Sequence, residues 1–148
     1  MHDLQGLTQR VRAAGGKMTS QRALIYATLA GDVTHPTAEE VYTRLRLRLP
    51  HLSLTTVYKT LNELVAWGEV RRIDAGDGRT RFDPDTRPHA EAVCLRCHRV
   101  TDVALAEAAA LGERPPLPAR IASYRVVHRA ETFYGYCPRC EHDGALGS

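Results

Sequence analysis

Four cysteines in two pairs carry the clearest chemistry in this 148-residue sequence. Cys94 and Cys97 form one Cys-x-x-Cys pair, and Cys137 and Cys140 form the other. Two residues between the thiols let a pair bind one ion, and two such pairs supply the closed tetrahedral shell of a structural zinc site. A redox pair is the alternative, but it needs only one Cys-x-x-Cys in a thioredoxin-like setting. We therefore predict a four-cysteine Zn(II) site in the second half of the chain.

A second group of possible ligands has nitrogen and oxygen donors and no thiol. It comprises His35, Asp83, His89, Glu91 and Asp102. His89 and Glu91 are two residues apart on a predicted strand, so both side chains point to one face. Such donors suit Fe(II) or Mn(II), and also Zn(II). Spacing alone does not assemble this set, and each residue taken singly also fits a surface charge or a polar group of the linker.

A zinc-dependent hydrolase is a different class of function for some of these residues. It would use His89 as a ligand and Glu91 as a base. An open catalytic zinc site usually has three protein ligands and a water molecule, and the sequence has neither a third histidine for this site nor an HExxH motif. We predict that the protein is not an enzyme.

Helices and a hairpin must position the donors of the first half. The predicted helices span residues 4–14, 21–30, 38–49 and 54–67, and their ends are marked by Gly15-Gly16, Gly31, Pro50 and Gly68. Thr37, with Glu40 three residues later, forms a capping box. Residues 70–83 alternate around a glycine-containing turn, which predicts a hairpin with Val70, Ile73 and Phe82 inward. Helices followed by a hairpin are the order of a winged helix.

The last of these helices is the predicted DNA-reading helix, because the second helix of a helix-turn-helix lies in the major groove. The predicted DNA-binding residues are Thr55, Thr56, Tyr58 and Lys59, with Lys17 and Arg22 placed to hold the phosphate backbone. Their hydroxyl, aromatic and cationic groups can contact bases or phosphates. The alternatives are an ordinary solvated polar face and, for Tyr58, a structural residue with only its hydroxyl exposed.

Composition and charge set the class of protein. The net charge is +3, and residues 1–83 hold 12 Lys or Arg against 9 Asp or Glu, whereas residues 84–148 hold 8 of each. A modest basic excess fits nucleic-acid binding and also an ordinary surface. No run approaches the roughly 20 apolar residues of a membrane span, and the first residues lack the apolar stretch of a secretory signal. We expect a cytoplasmic protein without a membrane partner, where reduced thiols favour metal binding over disulfides.

The expected fold class is α+β, in two domains. Residues 1–83 form a winged-helix DNA-binding domain, residues 84–89 with two prolines form a hinge, and residues 90–148 form a small α/β dimerisation domain with the zinc site. In that second domain, strands flank the first cysteine pair, residues 106–111 favour a helix, and residues 124–137 alternate as a strand.

Several motifs resemble the ferric uptake regulator family. They are GKMTSQR, HPTAEEVY, LSLTTVYKTLNELVAWGEV, RFD, the segment from His89 to Cys97, and FYGYCPRC, and they cover nearly the whole chain. The resemblance implies a dimeric repressor whose C-terminal domain dimerises and holds zinc. It also implies a regulatory metal at the hinge, palindromic operator DNA as the partner, and a base contact from Tyr58.

The resemblance further assigns regulatory ligands and a branch of the family. His35, His89 and Asp102 match regulatory ligands, and Asp83 stands where the peroxide-responsive branch has aspartate. This implies that peroxide oxidises His35 or His89 when Fe(II) is bound, whereas Mn(II) resists the reaction. Glu91 departs from the family, which has a second histidine there, and a glutamate favours the harder ions Mn(II) and Fe(II).

Two other functions stay open at this point. One is a manganese- or iron-uptake regulator that senses metal concentration only. The other is a zinc-stabilised protein-interaction module that does not bind DNA, for which Tyr58→Ala and Arg22→Ala would leave partner affinity unchanged.

Overall fold

A computed structural model describes residues 3–110, 112, 115–126 and 129–142. The chain divides into two compact units, Met1–Thr86 and Arg87–Ser148. The expected α+β class is confirmed, with an N-terminal winged helix and a small second unit of mixed helix and sheet. Within the described ranges the longest helix has 13 residues, and no helix has the length and apolar character to cross a bilayer.

Unit 1 begins with four helices whose starts follow from capping residues. Helix α1 spans Leu4–Ala13, α2 Ser20–Leu29, α3 Ala38–Leu45 and α4 Leu54–Ala66. Thr37 and Glu40 form the predicted capping box, since each side chain accepts a backbone N–H of the other residue. Ser53 caps α4 by accepting the N–H of Thr56 at 3.1 Å. These bonds satisfy backbone donors that a helix start leaves open.

Helix α3 is shorter than the sequence predicts. It ends at Leu45, and the N–H groups of Arg48 and Leu49 both reach the carbonyl of Leu45 at 2.9 Å. Proline disfavours helical backbone in the residue before it, so Pro50 opposes continuation through Leu49. The result is a tight turn between α3 and α4.

A hairpin completes unit 1 as the wing. Strand β1 (Arg71–Asp74) pairs antiparallel with β2 (Thr80–Asp83). The segment before α3 joins it, because the N–H of Phe82 donates to the carbonyl of Pro36 at 2.9 Å and Thr37 bridges to Arg81. The predicted inward residues Val70, Ile73 and Phe82 are buried.

The core of unit 1 is aliphatic and draws on all four helices. Its fully buried members include Leu7, Val11, Ile25, Leu29, Val41, Val57, Leu61 and Leu64. They recur at helical spacing on one face of each helix, so burial of apolar area supplies most of the stability of the unit.

Unit 2 is built on a three-stranded sheet in the order β4–β3–β7. Strand β3 (Ala90–Cys94) pairs antiparallel with β4 (Val100–Asp102) and parallel with β7 (Glu131–Gly135). Helix α5 spans Leu105–Ala109, and α6 spans Pro138–His142. Residue 111, the last of the predicted helix, lies outside the described residues.

The strand predicted over residues 124–137 is divided in the structure. Strand β5 (Arg120–Ile121) and β6 (Tyr124–Arg125) form a separate hairpin through Ala122 and Ser123, whose φ values are +45° and +71°. Among the described residues of the predicted strand, 131–135 pair with β3. The alternating pattern is the same for both strands, so the pattern could not say that they belong to different sheets. Residues 127 and 128 lie outside the described residues.

Candidate functional site

The four cysteines meet at one end of the sheet in unit 2. Cys94 ends β3 opposite Gly135 of β7, and Cys137 follows two residues later, before α6. A sulfur atom from each of the four residues lies within 4.8 Å of the other three, and the Sγ atoms of Cys97 and Cys137 are 3.8 Å apart. All four are free thiols. A tetrahedral site with Zn–S bonds of about 2.3 Å has sulfur–sulfur edges of about 3.8 Å. The cluster therefore fits a structural Zn(II).

The backbone prepares part of this cluster for a cation. N–H groups of Cys97 and Cys137 aimed at its sulfur lower the pKa of Cys94 to about 5, and the Cys137 bond is 3.4 Å long. Burial and the neighbouring thiols raise the pKa of Cys140 to about 12. Four negative sulfurs repel one another without a cation, and a divalent ion removes that repulsion.

Two residues beside the cluster fix the loop between the cysteines. The Arg96 guanidinium donates to the Cys140 carbonyl at 3.2 Å, which ties the first cysteine pair to α6. His98 has a φ of +57°, in the left-handed region that favours glycine, and its N–H donates to the Cys94 carbonyl. The turn after Cys97 places His98 in this conformation, which histidine adopts more readily than most side chains.

In unit 1 the structure brings His35 and Asp83 together. A ring nitrogen of His35 lies within 4.8 Å of a carboxylate oxygen of Asp83. The Pro36–Phe82 hydrogen bond sets this proximity, because each residue adjoins one of the two. His35 is fully buried and Asp83 is 2% exposed. Asp83 also accepts the N–H of Asp85 at 2.8 Å, which orients its carboxylate.

His35 has an unusual backbone conformation. Its φ is +51°, although it precedes Pro36 and carries a bulky imidazole side chain. Such a conformation costs of order 1–3 kcal/mol and persists only where the surroundings impose it. The preceding loop provides that restraint: Asp32 accepts the Thr34 N–H at 2.8 Å and pairs with Arg44 of α3.

Asp32→Ala is expected to loosen this loop while the helices stay folded. It removes two hydrogen bonds that Thr34 donates to Asp32 Oδ1 and one ion pair, so we expect the free energy of unfolding of unit 1 to fall by about 1–2 kcal/mol. Hydrogen exchange of the Thr34 amide should speed up by at least tenfold. Asp77→Ala, which removes the Arg81 ion pair of the hairpin, is the matched control and should leave Thr34 exchange unchanged. Equal exchange in both variants would mean that Asp32 does not hold the loop.

In unit 2 the structure brings His89, Glu91 and Asp102 together. The His89 Nε2 atom lies 3.4 Å from Glu91 Oε1 and 3.3 Å from Asp102 Oδ1. Glu91 and Asp102 are partners in the register of β3 and β4, which places them side by side. The sequence pattern put His89 and Glu91 on one face but gave no reason to add Asp102.

The tautomer of His89 follows from its other nitrogen. The Nδ1 atom is 2.8 Å from the Arg87 carbonyl, which only accepts, so Nδ1 carries the proton. The Nε2 lone pair of the neutral ring then faces two carboxylates, an arrangement that favours a metal cation between them. A histidine that donates to a carbonyl and presents its second nitrogen to carboxylates is typical of a metal ligand. The donor set fits Mn(II) or Fe(II).

Two of the four predicted DNA-binding residues on helix α4 are exposed to solvent. Thr55 and Lys59 are exposed, whereas Thr56 and Tyr58 are half-buried. The Thr56 hydroxyl is 2.8 Å from the Ser53 hydroxyl at the cap. The Tyr58 hydroxyl donates to Glu39 at 2.7 Å, and this bond lowers the pKa of the Glu39 carboxyl and raises the pKa of Tyr58. The sequence gave no signal for the Tyr58–Glu39 bond, which joins two helices.

The two predicted backbone contacts differ in their surroundings. Lys17 is exposed before α2. The Arg22 guanidinium instead pairs with Glu63 at 2.6 Å, donates to the Lys17 carbonyl, and lies 5.7 Å from the centre of the Trp67 ring. These contacts within unit 1 account for the position of Arg22, and a DNA contact by this residue stays a prediction.

Comparisons with known proteins identify the family of regulators that this chain resembles. A profile of the ferric uptake regulator family matches residues 13–116, more than half of the chain. A peroxide-responsive repressor of Staphylococcus epidermidis is 31% identical over 97% of this chain and 93% of its own. The solved Campylobacter jejuni peroxide stress regulator is 26% identical with a TM-score of 0.64, over 95% of this chain and 100% of that one. A solved zinc-bound manganese uptake regulator is 29% identical with a TM-score of 0.64, over 90% and 98%. These are names of regulators and not of enzymes.

Proposed function

The chain belongs to the ferric uptake regulator family, and on that basis we propose that it is a homodimeric, metal-dependent repressor that binds palindromic operator DNA. Its structural ion is Zn(II) on the four cysteines, and its regulatory ion is Fe(II) or Mn(II). The function within the family that we favour is sensing of peroxide stress in the cytoplasm.

The observation that carries the proposal is the pair of donor groups. Unit 1 offers His35 and Asp83, and unit 2 offers His89 Nε2 facing the carboxylates of Glu91 and Asp102. We propose that one regulatory ion takes ligands from both groups. An ion bound in this way would set the orientation of the DNA-reading unit and so control affinity for the operator.

Exposed apolar side chains in unit 2 support the homodimer. Ile121, Tyr124 and Tyr134 are 58%, 79% and 60% exposed, and the hairpin and β7 carry them. Aromatic and aliphatic groups exposed in this number are typical of a surface that a second chain covers.

Binding of duplex DNA is assigned to α4 and its surroundings. Thr55 and Lys59 are exposed near the start of a helix that follows a tight turn, as recognition helices are. The proposed roles are base contacts for Thr55, Thr56 and Tyr58 and phosphate contacts for Lys17 and Lys59. Arg22 then acts first through Glu63 and Trp67, which hold α2 against α4.

Peroxide sensing is favoured by the resemblance at Asp83 and by the likeness to the Staphylococcus epidermidis repressor. Fe(II), when bound, supplies a reaction with hydrogen peroxide in which a ligand histidine gains an oxygen atom. His35 and His89 are the two imidazoles among the proposed ligands, so they are the proposed targets. The sensing of metal concentration alone is the second candidate, favoured by Glu91 and by the likeness to the manganese uptake regulator.

Operator binding with two metals decides between these functions. The operator is first selected from a random duplex pool with the Mn(II)-loaded protein. Anaerobic binding is then measured for the Fe(II) and Mn(II) forms, before and after a stoichiometric dose of hydrogen peroxide, with mass spectrometry of the peptides that hold His35 and His89.

We expect peroxide to reduce affinity at least tenfold in the Fe(II) form only, with 16 Da added to one histidine. Binding that follows metal concentration and ignores peroxide would make the protein an uptake regulator. A protein that selects no duplex at all would contradict the repressor proposal.

A further inference from the structure

Five of the ten arginines of unit 1 have a side-chain acceptor within the described residues of the unit. The pairs are Arg10 with Glu69, Arg22 with Glu63, Arg44 with Asp32, Arg72 with Asn62, and Arg81 with Asp77. These side chains are engaged in holding the helices and the hairpin together. A guanidinium that already pairs with an acceptor inside the unit is a poor candidate for a phosphate contact, because the DNA phosphate would have to compete with that acceptor.

Arg46 and Arg48 are different. Both are exposed on the turn between α3 and α4, and their guanidinium groups make no hydrogen bond or ion pair with any residue in the described ranges. Leu47 between them is 86% exposed, so the whole outer side of the turn is open. Two exposed cations two residues apart raise the local positive potential, which attracts an anion.

The turn itself is fixed in place. Leu45 and Leu52 on either side of it are 1% and 4% exposed. The N–H groups of Arg48 and Leu49 donate to the Leu45 carbonyl at 2.9 Å, and the Leu52 N–H donates to Leu49 at 3.0 Å. The two cations therefore project from a rigid base, which reduces the entropy lost when they bind.

Their place in the fold identifies the anion. The turn leads directly into the cap at Ser53 and the exposed Thr55 of α4. When the start of such a helix enters a major groove, the turn before it lies at the edge of the groove, where the phosphates are. We propose that Arg46 and Arg48 form a phosphate clamp on duplex DNA, which contributes affinity and orientation but no base preference. The proposal rests on the proposed function and adds a contact surface to it.

The test is the salt dependence of DNA binding by the full-length, metal-loaded protein. The double variant R46Q/R48Q is compared with the wild type on the selected operator between 50 and 200 mM salt. Each lost phosphate contact flattens the plot of log K against log salt by about 0.9. A dimer would carry two clamps of two arginines each, so the double variant would lose four phosphate contacts. The slope is then expected to be less steep by about 3 to 4. The relative affinities for operators with single base changes should stay the same, since phosphate contacts carry no sequence information.

Arg129→Gln is the control for charge, because Arg129 is exposed in unit 2 and should leave the slope unchanged. Since both turn arginines lack partners in the described ranges, the melting temperature of R46Q/R48Q should match the wild type. An unchanged slope in a folded R46Q/R48Q, with intact binding by the wild type, would overturn the clamp alone. Absence of duplex binding by the wild type would remove the proposed function and the clamp together.

Discussion

Replacement of Cys94 by serine is expected to release the zinc ion and unfold unit 2. Structural zinc contributes on the order of 10 kcal/mol to small domains, and a hydroxyl does not replace a thiolate ligand. The buried hydrophobic residues of unit 2 in the described ranges are few and mostly small, including Ala90, Val93, Val100 and Ala108. This core cannot offset the conformational entropy of the unit without the ion.

The measurements are zinc content, thermal unfolding and sedimentation. We expect less than one tenth of a zinc per chain, loss of one unfolding transition, and monomers in place of dimers. Ala92→Ser adds the same hydroxyl to an exposed site on the same strand and should keep zinc, stability and the dimer. One zinc per chain and an unchanged melting temperature in Cys94→Ser would show that Cys94 is not a ligand.

The second large effect is expected for Asp83→Asn, on function and not on stability. Its amide oxygen can still accept the Asp85 N–H, so the end of the hairpin keeps its hydrogen bond. The carboxylate charge that would bind a hard cation is lost. We expect affinity for Mn(II) and metal-dependent operator affinity to fall by about 100-fold or more, with a melting temperature of the metal-free protein near that of the wild type.

Asp74→Asn is the control for this variant. Asp74 lies on the same hairpin, and its carboxylate also accepts a backbone N–H two residues later, from Gly76 at 2.8 Å. The two variants remove the same charge and keep the same kind of bond. Calorimetric titration with Mn(II) and operator binding at saturating Mn(II) should separate them. Equal behaviour of the two variants would exclude Asp83 as a regulatory ligand.

Local signals in the sequence were sufficient to predict those features in which a residue contacts its near neighbours in the chain. The Thr37–Glu40 capping box and the Ser53 cap depend on residues three apart, and both form as predicted. The inward face of the hairpin follows from alternation, and Phe82 is buried accordingly. The four cysteines could be grouped because a zinc shell needs four donors and the chain has two pairs.

Contacts between distant elements could not be predicted in the same way. Asp102 reaches His89 because the register of β3 and β4 places it opposite Glu91, and the sequence does not state that register. The Arg22–Glu63 pair and the Tyr58–Glu39 bond depend on how helices pack. The resemblance to a family supplied Asp102 as a ligand, but it supplied neither of those helix contacts.

The parallel pairing of β3 with β7 has a consequence for biosynthesis. Unit 1 has its helices, hairpin and core within the first 86 residues, so it can fold while the rest of the chain is still being made. The zinc cluster needs Cys137 and Cys140, more than 40 residues after Cys94, so it cannot close until both of these residues have been synthesised. A cell short of zinc would therefore accumulate chains with a complete DNA-reading unit and an open second unit. An open second unit would be accessible to proteases, so zinc supply during translation would set how much of the protein survives.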